Sequence, residues 1–268
     1  MASILLYSSI ATGLAAGIIA GLFGVGGGII IVPALLILLH HAGLPPAYIM
    51  QMAVGTSLAT IIITNLMATF KQHSRQSVNW RAVVYYTPGV LCGAWLGAQL
   101  AVRLEGALLQ ILFGIFEIVI GTKMILSSNK PQGETQAVRL RRLPSILVGG
   151  IIGTISSLFG IGGGTLSVPA LNLISGIPIR SAVGSSSAIG IFLAISGATG
   201  FVQAGWNSGF LPAGNWGYIV PEAFFGIIIG TLITTPIGVR LAHTLPPIIL
   251  RKSFGYFLLI VGGKLIIS

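Results

Sequence analysis

Charged residues are scarce in this chain, and their scarcity excludes an ordinary soluble fold. Only 7% of the 268 residues are charged, whereas about a quarter are charged in an average soluble domain. Hydrophobic residues make up 54% of the chain, and the mean hydropathy is +0.98. A soluble fold of this size could not bury so much apolar surface. The sequence therefore predicts an all-α integral membrane protein that uses lipid as its solvent.

Residues that carry enzyme chemistry are also few. The chain has four acidic residues, four histidines and a single cysteine, Cys92. An intramolecular disulfide is excluded, and no nucleophile with a base, metal cluster or cofactor motif can be recognised. We therefore expect no enzyme activity, no metal and no cofactor. The net charge of +10 would suggest nucleic acid in a soluble protein. In a membrane protein, Lys and Arg residues are concentrated in the loops that face the cytoplasm, so no nucleic-acid partner is expected.

One stretch of the chain occurs twice. Residues 21–35 (GLFGVGGGIIIVPAL) align without a gap with residues 157–171 (SLFGIGGGTLSVPAL) at a spacing of 136. Residues 53–59 (AVGTSLA) recur as residues 182–188 (AVGSSSA), and further proline, glycine and basic landmarks follow in the same order. A repeat of this length indicates a duplicated structural unit.

The duplication divides one membrane domain into two repeats. The first repeat covers 1–127 and the second 144–268, and the polar stretch 128–143 reads as a hydrophilic loop. The first apolar segment lacks a basic n-region, so we expect it to be retained. Each repeat contains five apolar segments, near 4–22, 29–40, 50–70, 81–103 and 107–126, and near 144–160, 165–176, 182–204, 217–240 and 248–267. The second and seventh segments, at about 18 Å, are about half a span long.

The positive charges indicate how the segments are oriented. If all ten segments cross and the central loop is cytoplasmic, only Arg103 and Lys264 of the 14 Lys and Arg lie outside. If the second and seventh segments do not cross, only nine of these cations lie inside and five lie outside. We therefore prefer ten crossings. Five crossings per repeat give inverted repeats, as in many secondary transporters, with both termini outside. Segments one and two, and likewise six and seven, could instead form re-entrant hairpins. The distribution of positive charges would then be the same, so this alternative stays open.

The two glycine turns are the best candidates for a substrate site. Each turn precedes a short apolar segment, so backbone N–H groups and a helix dipole can face an anion without a formal charge. Irregular backbone within a membrane is tolerated only where protein or a cavity satisfies it. Tight helix packing is the alternative explanation. The substrate-binding candidates in the turns are Gly24, Gly26, Gly27, Gly28, Gly160, Gly162, Gly163 and Gly164.

Hydroxyl groups near the third and eighth segments extend this hypothesis. Their candidates are Thr56, Ser57, Ser185 and Ser186, although helix capping or interhelical bonding would explain them equally well. Glu117 lies midway along the fifth segment, where a carboxylate is costly. Its counterpart in the other repeat is Leu258, so it breaks the symmetry. It is a candidate for carrying a coupling proton.

The doubled FGxGGGxxxxPAL and the doubled AVG[TS]S resemble the sulfite exporter TauE/SafE family, also called the TSUP family of anion permeases. The resemblance runs through both repeats, and it includes Pro33 and Pro169 as structural positions of the motif. It implies a multi-pass permease of a prokaryotic inner membrane. Its substrate would be a small anion, sulfite or another sulfur-containing oxyanion or organosulfonate, moved by alternating access.

Two alternatives use the same binding elements. The chain could be an anion channel, or a permease for an organic anion without sulfur. The expected partners are the small anion and the lipid bilayer. A homo-oligomer stays open, because glycine-rich segments can pack within one chain or between chains.

Overall fold

The computed structural model describes residues 2–23, 27–44, 46–126, 140–206, 211, 214–244 and 247–267. It confirms the all-α prediction, because these residues form ten α-helices and no strand. The helices of the first half are α1 (Ala2–Phe23), α2 (Gly28–His41), α3 (Pro46–Ser74), α4 (Trp80–Arg103) and α5 (Gly106–Leu126). Those of the second half are α6 (Arg142–Leu158), α7 (Gly164–Pro169), α8 (Ile179–Trp206), α9 (Pro221–Thr244) and α10 (Pro247–Ile267).

The helices follow the apolar segments closely, and their ends have local causes. α2 and α7 are the short helices that the sequence predicts, and both begin at the last glycine of a glycine turn. α7 continues past Pro169 as a π-helical turn over Ala170–Ile174. Asn79 begins α4, because its side chain accepts a hydrogen bond from the backbone N–H of Ala82 at 3.1 Å.

The longest helices have the length and composition that a membrane requires. Four candidate spans are found among the described residues, at Pro46–Ser74, Gly106–Leu126, Ile179–Trp206 and Pro221–Gly238. Large apolar side chains are exposed on the outside of the bundle, with Val119 57% and Ile260 74% exposed. Such surfaces are costly in water, whereas lipid tails solvate them. The chain is a multi-pass membrane protein.

Helices from the two halves pack closely against one another. α1 lies against α9, α4 against α6, α5 against α10, and α3 against α8. Glycines permit the close approach: a β-carbon on Gly114 would lie 2.8 Å from the carbonyl oxygen of Gly262, and one on Gly121 would lie 2.8 Å from that of Gly255. Small residues are what membrane helices use where their backbones must meet.

Candidate functional site

The second glycine turn connects α6 to α7 through backbone that only glycine adopts readily. Gly160 and Gly163 have φ of +66° and +75°, in the left-handed region where a β-carbon is strained. The Ile161 N–H donates to the Ser156 carbonyl at 2.8 Å, and the Gly163 N–H donates to the Ile161 carbonyl at 2.8 Å. The chain therefore reverses within a few residues, and Gly160, Gly162 and Gly163 are all buried.

The end of the first glycine turn lies directly against this second turn. Gly27 has φ of +80°, and its carbonyl accepts the N–H groups of Ile30 and Ile31 at 3.0 and 2.9 Å, so α2 begins there. A β-carbon on Gly28 would collide with the carbonyl oxygen of Gly160 and would lie 3.1 Å from the Cα of Ile161. The structure thus brings Gly28 to Gly160. Gly24 and Gly26 lie outside the described residues.

One face of α3 lines the second turn. The Ser57 hydroxyl donates to the Gly160 carbonyl at 2.8 Å. A β-carbon on Gly160 would lie 3.0 Å from the Cα of Val54, and one on Gly162 would lie 3.5 Å from Asn65 Nδ2. Eleven residues of α3 precede Ser57 and nine follow Asn65. The turn therefore meets the middle of a helix that is long enough to cross a bilayer.

α8 contributes the opposite wall of the site. A β-carbon on Gly190 would collide with Asn65 Nδ2 and would lie 2.6 Å from the carbonyl oxygen of Gly162. The Leu193 side chain lies 3.2 Å from the position of a β-carbon on Gly163. These residues occupy the middle of α8, which runs from Ile179 to Trp206. The second glycine turn is thus held between the central portions of two long helices.

Several buried polar atoms around this turn have no hydrogen-bond partner within the described part of the chain. Asn65 is 3% exposed, and its Nδ2 group is unpaired. Ser167 is fully buried, and its hydroxyl, also unpaired, would lie 3.3 Å from a β-carbon on Gly163. The hydroxyls of Ser156, Ser157 and Thr165, on either side of the turn, are unpaired as well. Because an unpaired buried polar group costs about 1–3 kcal/mol, each of these atoms calls for a partner from outside the described residues, such as water or an ion.

Two of the other predicted hydroxyls, those of Thr56 and Ser185, have backbone partners. Thr56 accepts a hydrogen bond from the Val220 N–H at 3.0 Å, and Ser185 accepts one from the Asn79 N–H at 2.8 Å. Ser186 is buried one residue further along α8. These bonds tie α3 and α8 to neighbouring segments. These structural bonds do not test substrate binding, so the role predicted for Thr56, Ser185 and Ser186 stays a prediction.

The unpaired atoms include residues that the motif does not point to. Thr165 and Ser167 have Ile29 and Ile31 as their counterparts in the first repeat. Asn65 corresponds in the same way to Ala194. A polar residue whose repeat counterpart is apolar is therefore the sequence signal that identifies them, and Glu117 shows the same signal.

Glu117 and the two motif prolines lie on the elements that the sequence indicates. Glu117 is fully buried in α5, and neither carboxylate oxygen has a hydrogen-bond partner among the described residues. Its Cβ lies 3.1 Å from the position of a β-carbon on Gly262 of α10. Pro33 lies within α2, and Pro169 joins α7 to its π-helical turn.

Comparison with known proteins agrees with the doubled motif. The family model described as sulfite exporter TauE/SafE matches residues 9–265. The chain belongs to the sulfite exporter TauE/SafE family. The resemblance inferred from the two glycine motifs is thereby confirmed.

Relatives of this TauE/SafE family chain are named as transporters. A "Probable membrane transporter protein" of Haemophilus influenzae is 37% identical over 250 residues, which cover 93% of this chain and 94% of the relative. One from Methanocaldococcus jannaschii is 30% identical, with 94% and 92% covered. The protein YunE of Bacillus subtilis, with the same description, is 34% identical, with 82% and 85% covered. No solved structure matches the chain.

The family and the names of these relatives make the chain a membrane transporter. They point to transport rather than to an enzyme reaction. Within the described ranges, no group of three or more His, Cys, Asp or Glu side chains could hold a metal ion.

Proposed function

We propose that the chain is a secondary permease for a small anion, which binds at the second glycine turn. The observation that carries this proposal is the set of buried polar atoms around Gly160–Gly164, at the middle of α3 and α8, that have no partner among the residues described. An anion that accepted hydrogen bonds from Asn65 and Ser167 would remove the cost of leaving these donors unpaired.

The donors indicate a class of substrate. An asparagine amide and serine hydroxyls donate hydrogen bonds without carrying charge, and they suit the several oxygens of a sulfite, thiosulfate or sulfonate group. The basic residues of α3 and α8 lie at helix ends, with Lys71 in the last turn of α3 and Arg180 near the start of α8. Neutral donors bind an anion weakly enough to release it, which transport requires. The family description supports sulfite or a related sulfur oxyanion.

The packing of the helices supports an inverted repeat. Gly114 corresponds to Gly255 in the repeat, and Gly121 corresponds to Gly262. Gly114 contacts Gly262 while Gly121 contacts Gly255, so each contact becomes the other when the repeats are exchanged. In the repeat, α1 corresponds to α6 and α4 corresponds to α9. The contact of α1 with α9 and that of α6 with α4 are therefore exchanged in the same way. Such exchange is what a pseudo-two-fold axis produces, and rocking of one part against another about it would give alternating access.

The positions of the cations support a cytoplasmic central loop in a prokaryotic inner membrane. Arg81 and Arg142 contact the same tyrosine ring. Ser185 bonds to Asn79, so the start of α8 lies beside the start of α4. The exposed cations at this end of the molecule include Lys71, Arg75, Arg81, Arg141, Arg142 and Arg180. An end rich in Lys and Arg faces the cytoplasm in most membrane proteins.

The proposal is tested with purified protein in proteoliposomes. Vesicles loaded with unlabelled sulfite should accumulate labelled sulfite by counterflow, and sulfonates or thiosulfate should compete. Anion currents without counterflow would mean a channel, and competition only by carboxylates would mean a permease for anions without sulfur. Absence of flux for all of these anions would contradict the proposed function.

Glu117 is the proposed site of a coupling proton. Its carboxyl group is buried and has no hydrogen-bond partner within the described ranges, so a neutral glutamine can replace it with little change in packing. We expect Glu117→Gln to abolish substrate accumulation driven by a pH gradient and to preserve counterflow at equal pH, because counterflow needs no net proton movement. Glu222→Gln, at the start of α9, serves as the control. Accumulation by Glu117→Gln at the rate of the unmodified protein would show that another group carries the coupling.

A further inference from the structure

Two arginines from different helices share one tyrosine ring where α4 and α6 begin. The guanidinium carbons of Arg81 and Arg142 each lie 5.5 Å from the centroid of the Tyr85 ring. Arg81 Nε also donates to the Tyr85 hydroxyl at 3.4 Å. Both arginines are exposed, as is the neighbouring Arg141. The ring thus gathers two positive charges at one place on the surface.

No described carboxylate neutralises this pair. Glu105 follows the opposite end of α4, Glu117 is buried in α5, and Glu222 begins α9. Like charges gathered on one ring repel each other, an anion bound to both would relieve that repulsion, and guanidinium groups bind phosphate by paired N–H donors. The arrangement therefore fits a phosphate group.

An apolar groove continues from the arginines along the same two helices. α4 and α6 run parallel, because Gly93 meets Gly150 and, one turn further along both helices, Gly97 meets Thr154. The groove between them has a volume of about 490 Å³, and its lining includes Gly89, Cys92, Leu96, Leu147, Gly150 and Ile151. Gly89 follows Tyr85 by four residues, or about 6 Å of helix. A molecule that reaches both must be charged at one end and apolar at the other.

We propose that this surface binds an anionic phospholipid, with the phosphate on Arg81 and Arg142 and an acyl chain in the groove. A free inorganic anion would have no use for the apolar groove, and an uncharged lipid would leave the two cations unpaired. Basic pockets between membrane helices on the cytoplasmic side are where anionic headgroups bind. The site is separate from the glycine turn, and it does not depend on the nature of the transported anion.

The single cysteine of the chain provides a direct reporter of the groove. Cys92 is exposed and lines the groove, so its alkylation by a maleimide measures how far the groove is open. With the delipidated full chain in detergent, we expect phosphatidylglycerol to slow alkylation of Cys92 and to remain bound in native mass spectrometry. Phosphatidylcholine should slow alkylation and remain bound only at concentrations at least about tenfold higher. Glycerol phosphate should neither slow alkylation nor remain bound.

Substitutions test each part of the site. Each guanidinium removed should weaken phosphatidylglycerol binding about fivefold, and Arg81→Gln with Arg142→Gln about 25-fold. Arg180→Gln, which removes another exposed cation from the same end, should change binding less than twofold. A β-carbon on Gly150 would have room, because its nearest atom is the Gly89 carbonyl oxygen at 3.8 Å. The side chain of Gly150→Leu should therefore fit without disturbing the helices, fill the groove and obstruct the acyl chain. Each variant should elute from a sizing column as the unmodified chain does.

Three results would overturn the proposal. Equal binding of phosphatidylglycerol and phosphatidylcholine would show that the arginines select no headgroup. Protection of Cys92 by glycerol phosphate alone would show a small-anion site instead of a lipid site. Protection of Cys92 that depends on protein concentration, with dimers in the mass spectrum, would show that a second copy of the chain covers the groove.

Discussion

Replacing Asn65 with leucine should reduce transport about 10- to 100-fold without lowering the thermal stability of the protein. The loss corresponds to one hydrogen bond to a charged ligand, worth about 1.5–3 kcal/mol. Asn65 Nδ2 is buried and has no hydrogen-bond partner among the described residues. Leucine has a similar shape and no polar atom to satisfy, so the folded state should be as stable as before or more stable. The measurements are counterflow rates and thermal unfolding in detergent.

A second asparagine provides the matched control for Asn65. Asn172 Nδ2 donates to the Ile177 carbonyl at 2.8 Å, where it holds the loop after the π-helical turn. Asn172→Leu should therefore lower the free energy of unfolding by about 1–3 kcal/mol, because it leaves a carbonyl without its donor. The two variants should change stability in different ways. If Asn65→Leu destabilised the protein as Asn172→Leu does, the Asn65 amide would be a structural group rather than a ligand donor.

Replacing Gly28 with alanine should abolish transport, because it separates the two glycine turns. The new β-carbon would meet the Gly160 carbonyl oxygen, and it would lie 2.8 Å from Cδ1 of Ile61. An overpacked contact of this kind costs about 1–3 kcal/mol, and relief requires a shift of the backbone that shapes the proposed site. Both the counterflow rate and the unfolding temperature should fall.

Two further variants separate this effect from a general effect of alanine in a helix. Gly263 lies in α10, and no atom lies within 4 Å of a β-carbon placed on it. Gly263→Ala should leave transport intact and stabilise the helix by up to about 1 kcal/mol. Adding Ile61→Val to Gly28→Ala should not restore transport, because the Gly160 carbonyl remains in the way. Normal counterflow by Gly28→Ala would show that contact between the turns is not needed for transport.

The sequence by itself predicts most of the secondary structure. Apolar composition and the length of each apolar segment define the helices, and the predicted segment 107–126 corresponds to α5 at Gly106–Leu126. Glycine turns interrupt the apolar runs, because glycine adopts the positive φ that Gly27 and Gly163 have. Helix lengths and turn positions depend on residues that are close together in sequence, so they can be predicted from the sequence without a structure. The doubled motif likewise identifies the family, which the comparison confirms.

The tertiary structure decided which polar side chains are paired within the described part of the chain. Ser57, Thr56 and Asn65 all read as polar groups on the same apolar helix. Ser57 bonds to Gly160, 103 residues away, and Thr56 bonds to Val220, 164 residues away, whereas Asn65 Nδ2 has no partner in the part of the chain that the structure describes. Hydrogen bonding depends on groups that are distant in sequence and adjacent only after the helices pack. The sequence by itself therefore determined the helices, the turns and the family, and only the packing of those helices decided which donors remain unpaired.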